Sequence, residues 1–225
     1  MGKRITKHLT YLFEALLEVV YYKDDVCIIC GGNAEEINIC KSCLNKIKTC
    51  PGDTVLCKNN NYFIYYSVSY YSKVMKTLIL RLKYKGDFFS GETIAKLMVS
   101  HIQREKIKFD AITFVPMTKR AEKKRGYNQS QFLSKLVSKS LDVPLIKCLV
   151  KVHESNDQIG LDGSGRWDNL SNCFRAVNEK MYLGKVILLI DDVITTGATA
   201  YYCGDAMKKS GAKSVIVLTA AKSCI

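Results

Sequence analysis

The sequence predicts an α/β fold: a mainly parallel twisted sheet with helices on both faces, preceded by an N-terminal helix and a small cysteine-rich ribbon. Three observations carry this expectation. From residue 62 onward, strand-like runs alternate with helix-like ones, the order that builds parallel sheets covered on both sides. Six of the ten cysteines fall within residues 27–57. Hydrophobic residues make up 48% and charged residues 24% of the 225 residues, which allows a sizeable core and excludes a disordered or fibrous chain.

Leu9, Leu12, Phe13, Leu16, Leu17 and Val20 repeat at helical spacing and predict an amphipathic helix over 5–22. Glu14 and Glu18 on its later polar face favour docking on protein over lying on a membrane. The polar stretch 51–61 marks a boundary between residues 1–60, which hold the helix and ribbon, and residues 61–225. Residues 62–71 are aromatic and β-branched and predict a strand. Val74, Leu78, Ile79 and Leu82 predict a helix over 72–84, ended by Gly86. A helix follows at 90–105, a strand at 111–116, a helix at 127–141, strands at 145–150 and 186–190, a helix at 198–210 and a strand at 214–220. Such sheets bind ligands at the carboxyl ends of their strands.

No apolar run approaches the roughly 20 residues that span a bilayer, and the N-terminus lacks the pattern of an export signal. A cytoplasmic protein without a membrane span is expected, with its thiols reduced or metal-bound. The formal net charge is +13. It is concentrated in residues 61–125, with 14 Lys and Arg against 5 Asp and Glu, whereas residues 1–60 hold 8 against 7. Such an excess points to anionic partners without choosing among them.

Cys27-Ile-Ile-Cys30 and Cys40-Lys-Ser-Cys43 are two knuckles nine residues apart, and Gly31-Gly32 supplies a tight turn after the first. Four thiolates so spaced suit a closed structural zinc site with no open coordination position. An iron–sulfur cluster, a thiol redox pair and four merely buried cysteines are the competing readings. Cys50 and Cys57 form a poor knuckle and rank as core residues or vestigial ligands. Cys148, Cys173, Cys203 and Cys224 stand singly among apolar residues, as small buried hydrophobes do.

The most informative segment begins at Val186 and continues through Asp191-Asp192 to Thr195-Thr196-Gly197-Ala198-Thr199. An apolar strand ends on two acids, and a Thr-rich turn leads straight into a helix. Backbone N–H groups and hydroxyls then converge at the positive end of a helix, which suits a phosphate dianion. The carboxylates upstream would repel that phosphate, so they suit sugar hydroxyls, with Mg²⁺ as a further partner. Phosphate, hydroxyls and metal together describe a ribose 5-phosphate.

Residues 187–199 resemble the thirteen-residue signature of type I phosphoribosyltransferases, and nearly the whole chain is similar to the ComF family of competence proteins. The similarity takes in the cysteine ribbon, the stretch from Leu78 through Lys83 to Asp87, Val115-Pro116 through Arg120, and Arg125-Gly126-Tyr127-Asn128-Gln129. It continues through Gln158-Ile-Gly160-Leu161, Arg166, Asn169 and the signature itself. The resemblance implies a type I phosphoribosyltransferase-like domain and a phosphoribosyl pyrophosphate ligand bound with Mg²⁺. By the same resemblance, Asp191 and Asp192 hold the ribose hydroxyls, and Thr195, Thr196, Gly197, Ala198 and Thr199 hold the 5-phosphate. The resemblance also implies that Lys119 and Arg120, in the loop after Pro116, face the pyrophosphate, and that Arg125 lies where the phosphoribosyl ligand sits. Competence and natural transformation would make single-stranded DNA and other DNA-uptake or recombination proteins its partners.

The family's Pro-Val-Pro-Leu stands here as Phe114-Val115-Pro116-Met117, and its Gly-Phe-Asn-Gln as Gly126-Tyr127-Asn128-Gln129. A second pair of knuckles is largely missing, so one zinc is expected. Trp167, the sole tryptophan, lies in a glycine-rich loop at 160–170 that either covers the site or is a pinned surface loop. His8, His101 and His153 are isolated and read as structural. Lys73–Lys85 reads either as a surface that tracks a nucleic-acid backbone or as a solvated helix face. Two functions remain open: a DNA-handling protein that keeps a phosphoribosyl site, and a transferase of nucleotide metabolism with no DNA role. The sequence names no acceptor.

Overall fold

The computed structural model describes residues 26–34, 37–58, 61–152, 170 and 172–223. The helix expected over 5–22, His8, His153, Gln158–Leu161, Arg166, Trp167, Asn169 and Cys224 lie outside the described residues. In chain order the elements are α1 (Lys41–Leu44), β1 (Asp53–Lys58), β2 (Asn61–Tyr70), α2 (Lys73–Lys85), α3 (Phe88–Arg104) and β3 (Ala111–Phe114). There follow α4 (Lys119–Arg125), α5 (Gln129–Leu141), β4 (Leu149–Lys151), β5 (Phe174–Ala176), a 3-10 turn (Glu179–Met181), β6 (Val186–Ile194), α6 (Ala198–Lys209) and β7 (Ser214–Lys222).

Five strands form one sheet in the order β1-β2-β7-β6-β3. All neighbours are parallel except β1 and β2. The apolar run of β6 is buried on both faces, as a central parallel strand must be. Leu188 and Ile190 pack in one core with α2, α3 and α5. Ile187 and Leu189 point the other way, into a core with Tyr201, Cys203 and Met207 of α6. This two-residue alternation places helices on both sides.

Several elements differ from the sequence expectation. Residues 53–58, inside the stretch expected as a boundary, form the edge strand β1. Its Asp-Thr-Val-Leu-Cys-Lys sequence is largely exposed, which hides a strand from a hydrophobicity reading. Residues 145–150 do not make one strand. Leu145 pairs with Ile112 as an isolated bridge beside Pro144, which has no N–H to extend a ladder. Residues 149–151 instead pair with β5 in a separate two-stranded sheet. The basic run after Thr118 is helical: Thr118 Oγ1 accepts from Ala121 N at 3.2 Å, and Gly126 ends α4 with φ 89°.

The cysteine module shares the core of the larger part. Ile39 and Ile47 are buried with Met75, Leu78 and Ile94. Thr93 Oγ1 donates to the Ile37 carbonyl at 2.8 Å, and Arg81 donates to the Ile28 carbonyl. Cys50 is buried, and so are Cys148, Cys173 and Cys203. Cys57 is exposed on β1 rather than in the core, because its position on the edge strand faces outward.

Candidate functional site

The carboxyl end of β6 turns through Thr195 and Thr196 into α6. Gly197 is the N-cap of α6, with φ 81° and no side-chain cap, so the first amides of the helix keep donors available at its positive end. One contact is local: Ala198 N donates to Thr196 Oγ1 at 3.4 Å. An open pocket at this turn is lined by Asp191, Thr195, Thr196, Gly197, Ala198 and Thr199, together with Thr219 of β7. A Cβ on Gly197 would stand 2.3 Å from Leu56 Cδ2, so β1 closes one side of the turn.

The two acids face different ways because they are neighbours on a strand. Asp191 lines the pocket, while Asp192, 5% exposed, is turned toward α2 and α5. Asp192 Oδ2 lies 2.6 Å from Lys83 Nζ and accepts from Gln129 Nε2 at 3.1 Å. Its Oδ1 accepts from Val193 N at 2.7 Å. Asp191 Oδ1 accepts from Ser130 Oγ at 2.8 Å and from Asp192 N at 2.9 Å. Burial, with the Asp192 charge next to it, pushes the Asp191 carboxyl up to about 7 against the pull of Ser130 and Lys83. Burial alone would lower the Lys83 ammonium, but Asp192 outweighs it and the net shift is upward.

Lys119 and Arg120 are exposed on α4, which follows β3 at the same end of the sheet. Val115 N donates to the Ile190 carbonyl at 3.1 Å, so that loop starts beside the acids. Neither residue lines the pocket. Arg125 donates to Gln129 Oε1 at 2.6 Å and stands 5.7 Å from the centre of the exposed Tyr84 ring. It therefore backs the Asp192 side. The structure thus gathers Asp191 with Thr195–Thr199, sets Asp192 and Arg125 behind them, and leaves Lys119 and Arg120 on the rim of the same sheet end.

Lys83, Gln129 and Ser130 are site residues that the sequence reading left out of the site. Lys83 carried a signal. It lies four residues after the buried Ile79, on the inward side of α2, where a cation needs a buried anion.

The four cysteines Cys27, Cys30, Cys40 and Cys43 have all their Sγ atoms within 4.8 Å of one another. Tetrahedral zinc, with Zn–S near 2.3 Å, needs S···S separations of about 3.8 Å, and Cys30 and Cys40 stand at 3.6 Å. Burial pushes the Cys27 thiol up, yet hydrogen bonds from the Cys40, Cys30 and Ile29 amides outweigh it and bring it to about 6. Burial and the neighbouring thiols push Cys43 up to about 12. A divalent ion bound among the four would hold them as thiolates. The donor set fits zinc. Cys50 and Cys57 lie outside this cluster.

A family model described as the phosphoribosyl transferase domain matches residues 115–223. Competence protein F of Haemophilus influenzae is 29% identical over 215 residues, covering 85% of this chain and 94% of that protein. Competence protein ComFC of Bacillus subtilis is 27% identical over 207 residues, covering 88% of this chain and 78% of that one. Among solved structures, the B. subtilis glutamine phosphoribosylpyrophosphate amidotransferase is 15% identical with a TM-score of 0.45, over 77% of this chain and 37% of the other. By sequence the chain is similar over most of its length to competence proteins F and ComFC, and its residues 115–223 match the phosphoribosyl transferase domain.

Proposed function

We propose that this chain binds phosphoribosyl pyrophosphate with Mg²⁺ in the pocket at the end of β6, and that it serves DNA uptake in natural transformation. The observation that carries the first part is the shared pocket of Asp191 and Thr195–Thr199 at the uncapped start of α6. Amides and hydroxyls of Thr195, Thr196, Gly197, Ala198 and Thr199 would take the 5-phosphate. Asp191 and Asp192 would hold the ribose hydroxyls, Asp191 from the lining of the pocket. Lys119 and Arg120, on the rim of the same sheet end, would face the pyrophosphate, while Arg125 stands on Gln129 behind Asp192. Mg²⁺, when bound with the ligand, would neutralise part of the pyrophosphate charge. If group transfer occurs, the protein's share of it is positioning and electrostatic stabilisation by these residues.

The second part rests on the competence proteins to which the chain is similar and on the cationic residues 61–125. Lys73, Lys76 and Lys85 are exposed on α2 and would track the backbone of single-stranded DNA. Cys27, Cys30, Cys40 and Cys43 would hold one structural zinc. A cytoplasmic location and contacts with other DNA-uptake or recombination proteins belong to the same reading. Among the described residues no helix is long and apolar enough to cross a membrane.

Calorimetric titration with phosphoribosyl pyrophosphate and Mg²⁺ tests the site. Saturable binding that Asp191→Ala removes is expected, and a wild-type protein that binds nothing would sink the reading. Isotopic pyrophosphate exchange against nucleobases separates a transferase from a binding protein.

A further inference from the structure

The outward face of α2 ends on an aromatic ring. Val74, Met75, Leu78, Ile79 and Leu82 form the buried side of the helix, and Tyr84 lies about 200° round from Leu82 at 3.6 residues per turn. It is 72% exposed. Lys73 falls on the same outward line, roughly 16 Å earlier along the axis at 1.5 Å per residue.

This end of α2 is held firmly. Gly86 stops the helix with φ 61°, Arg81 pairs with Asp87 at 2.6 Å, and Tyr127 Oη donates to the Leu82 carbonyl. Phe88, 40% exposed, opens α3 with its ring centre 5.3 Å from that of Tyr127 and 5.0 Å from that of Phe132. Arg125, fixed on Gln129 Oε1 at 2.6 Å, stands 5.7 Å from the centre of the Tyr84 ring, within cation–π range. The short segment 125–127 therefore touches both exposed rings. Lys85, Lys123 and Lys124 are exposed around them. A rigid ring carrying a guanidinium and bordered by lysines complements a ligand with a flat apolar face on an anionic chain. An unpaired nucleobase on its phosphodiester backbone has both. A duplex keeps its base faces stacked inside, so it cannot offer them to the ring.

We propose that Tyr84, with Arg125 on its ring, is a base-stacking site for single-stranded DNA at the end of the lysine-bearing face of α2. The site deepens the DNA part of the proposed function and rests on it. It does not depend on the phosphoribosyl pocket. The lysines of α2 meet phosphates, whereas Tyr84 meets the face of a base, so its contribution depends on the base being present and not on salt.

The test is fluorescence anisotropy of the full chain with a labelled unstructured single strand, the same strand carrying abasic sites, and its duplex, for the wild type, Tyr84→Ala and Tyr84→Phe. One base stacked on an aromatic contributes about 5- to 150-fold by alanine substitution, so Tyr84→Ala should weaken single-strand binding by at least about fivefold. Tyr84→Phe should keep most of the affinity. Tyr84→Ala removes no charge, so its salt slope should equal that of the wild type, and its unfolding temperature should be unchanged because the ring lies outside the core. The wild type should bind the abasic strand as weakly as Tyr84→Ala does. Equal single-strand affinities for the wild type and Tyr84→Ala would overturn the proposal, and so would an equal loss on the abasic strand or the duplex. A Tyr84→Ala protein that unfolds at lower temperature, beside a wild type that binds the abasic and intact strands alike, would assign the ring a structural role and overturn it too. A wild type that binds no single strand is a different pattern, and it removes the DNA part of the proposed function together with this site.

Discussion

Gly197 and Asp191 are the residues on which the site depends most. Gly197 combines φ 81° with a side chain position already filled by Leu56. Gly197→Val should destabilise the protein by about 1–3 kcal/mol from the left-handed backbone, read by urea unfolding, and should close the phosphate turn to ligand. Asp191 sets the pH behaviour. Its folded value of about 7 lies above the ordinary 3.8, so as pH rises through that window the unfolded chain gives up its proton first and the folded state loses stability. The ligand-free protein should therefore weaken between about pH 4 and 7, with Asp192, Lys83 and Ser130 as the groups around it. Asp191→Asn should flatten that slope. Ligand binding should run the opposite way, strengthening from about pH 6 to 8 as the carboxylate becomes able to accept from sugar hydroxyls. A pH-independent unfolding midpoint, equal in wild type and Asp191→Asn, would contradict this. The contiguous part of the site was readable in sequence because its residues are neighbours in the chain. Gln129 and Ser130 reach the acids across 63 and 61 residues, a juxtaposition that no local pattern encodes.

The helix α2 ties the cysteine module to the acid pair. One face is buried against α3 and the cysteine module through Met75, Leu78 and Ile79, and its last turn reaches the acid pair. Leu78 is fully buried, so Leu78→Ala should cost about 2–5 kcal/mol in urea unfolding. Removing bound metal with a chelator should lower the unfolding temperature and open residues 26–50 to protease, since metal ligation in small cysteine modules contributes about 10–16 kcal/mol. An unchanged melting curve after complete metal removal would count against a structural metal. The long elements were legible in the sequence: β2, α2, α3, α5, β6, α6 and β7 lie within a few residues of the periodicity reading. The short ones were not. β1 is a polar edge strand, β4 and β5 are three residues each, and α4 is defined by its Thr118 and Gly126 caps under a run of cations that carries no apolar period.

Across the whole molecule, the +13 charge divides between the inside and the outside of the site. Lys83 pairs with Asp192 and Arg81 with Asp87, which withdraws both from any nucleic-acid surface. Lys73, Lys76 and Lys85 remain exposed on the same helix. Single-stranded DNA affinity should fall linearly in log–log against salt. Replacing these three lysines with alanine should reduce the slope by about 2, at roughly 0.7 per phosphate contact. Replacing Lys83 should leave the slope alone. Equal slopes for the triple variant and wild type would exclude this face. A crystal grown with phosphoribosyl pyrophosphate and Mg²⁺ would show where the 5-phosphate sits relative to the turn after β6. The phosphate is expected against the amides and hydroxyls of Thr195–Thr199, with the ribose hydroxyls at Asp191 and Asp192. A ligand seated anywhere else, or a turn left empty at saturating ligand, would contradict this reading of the site.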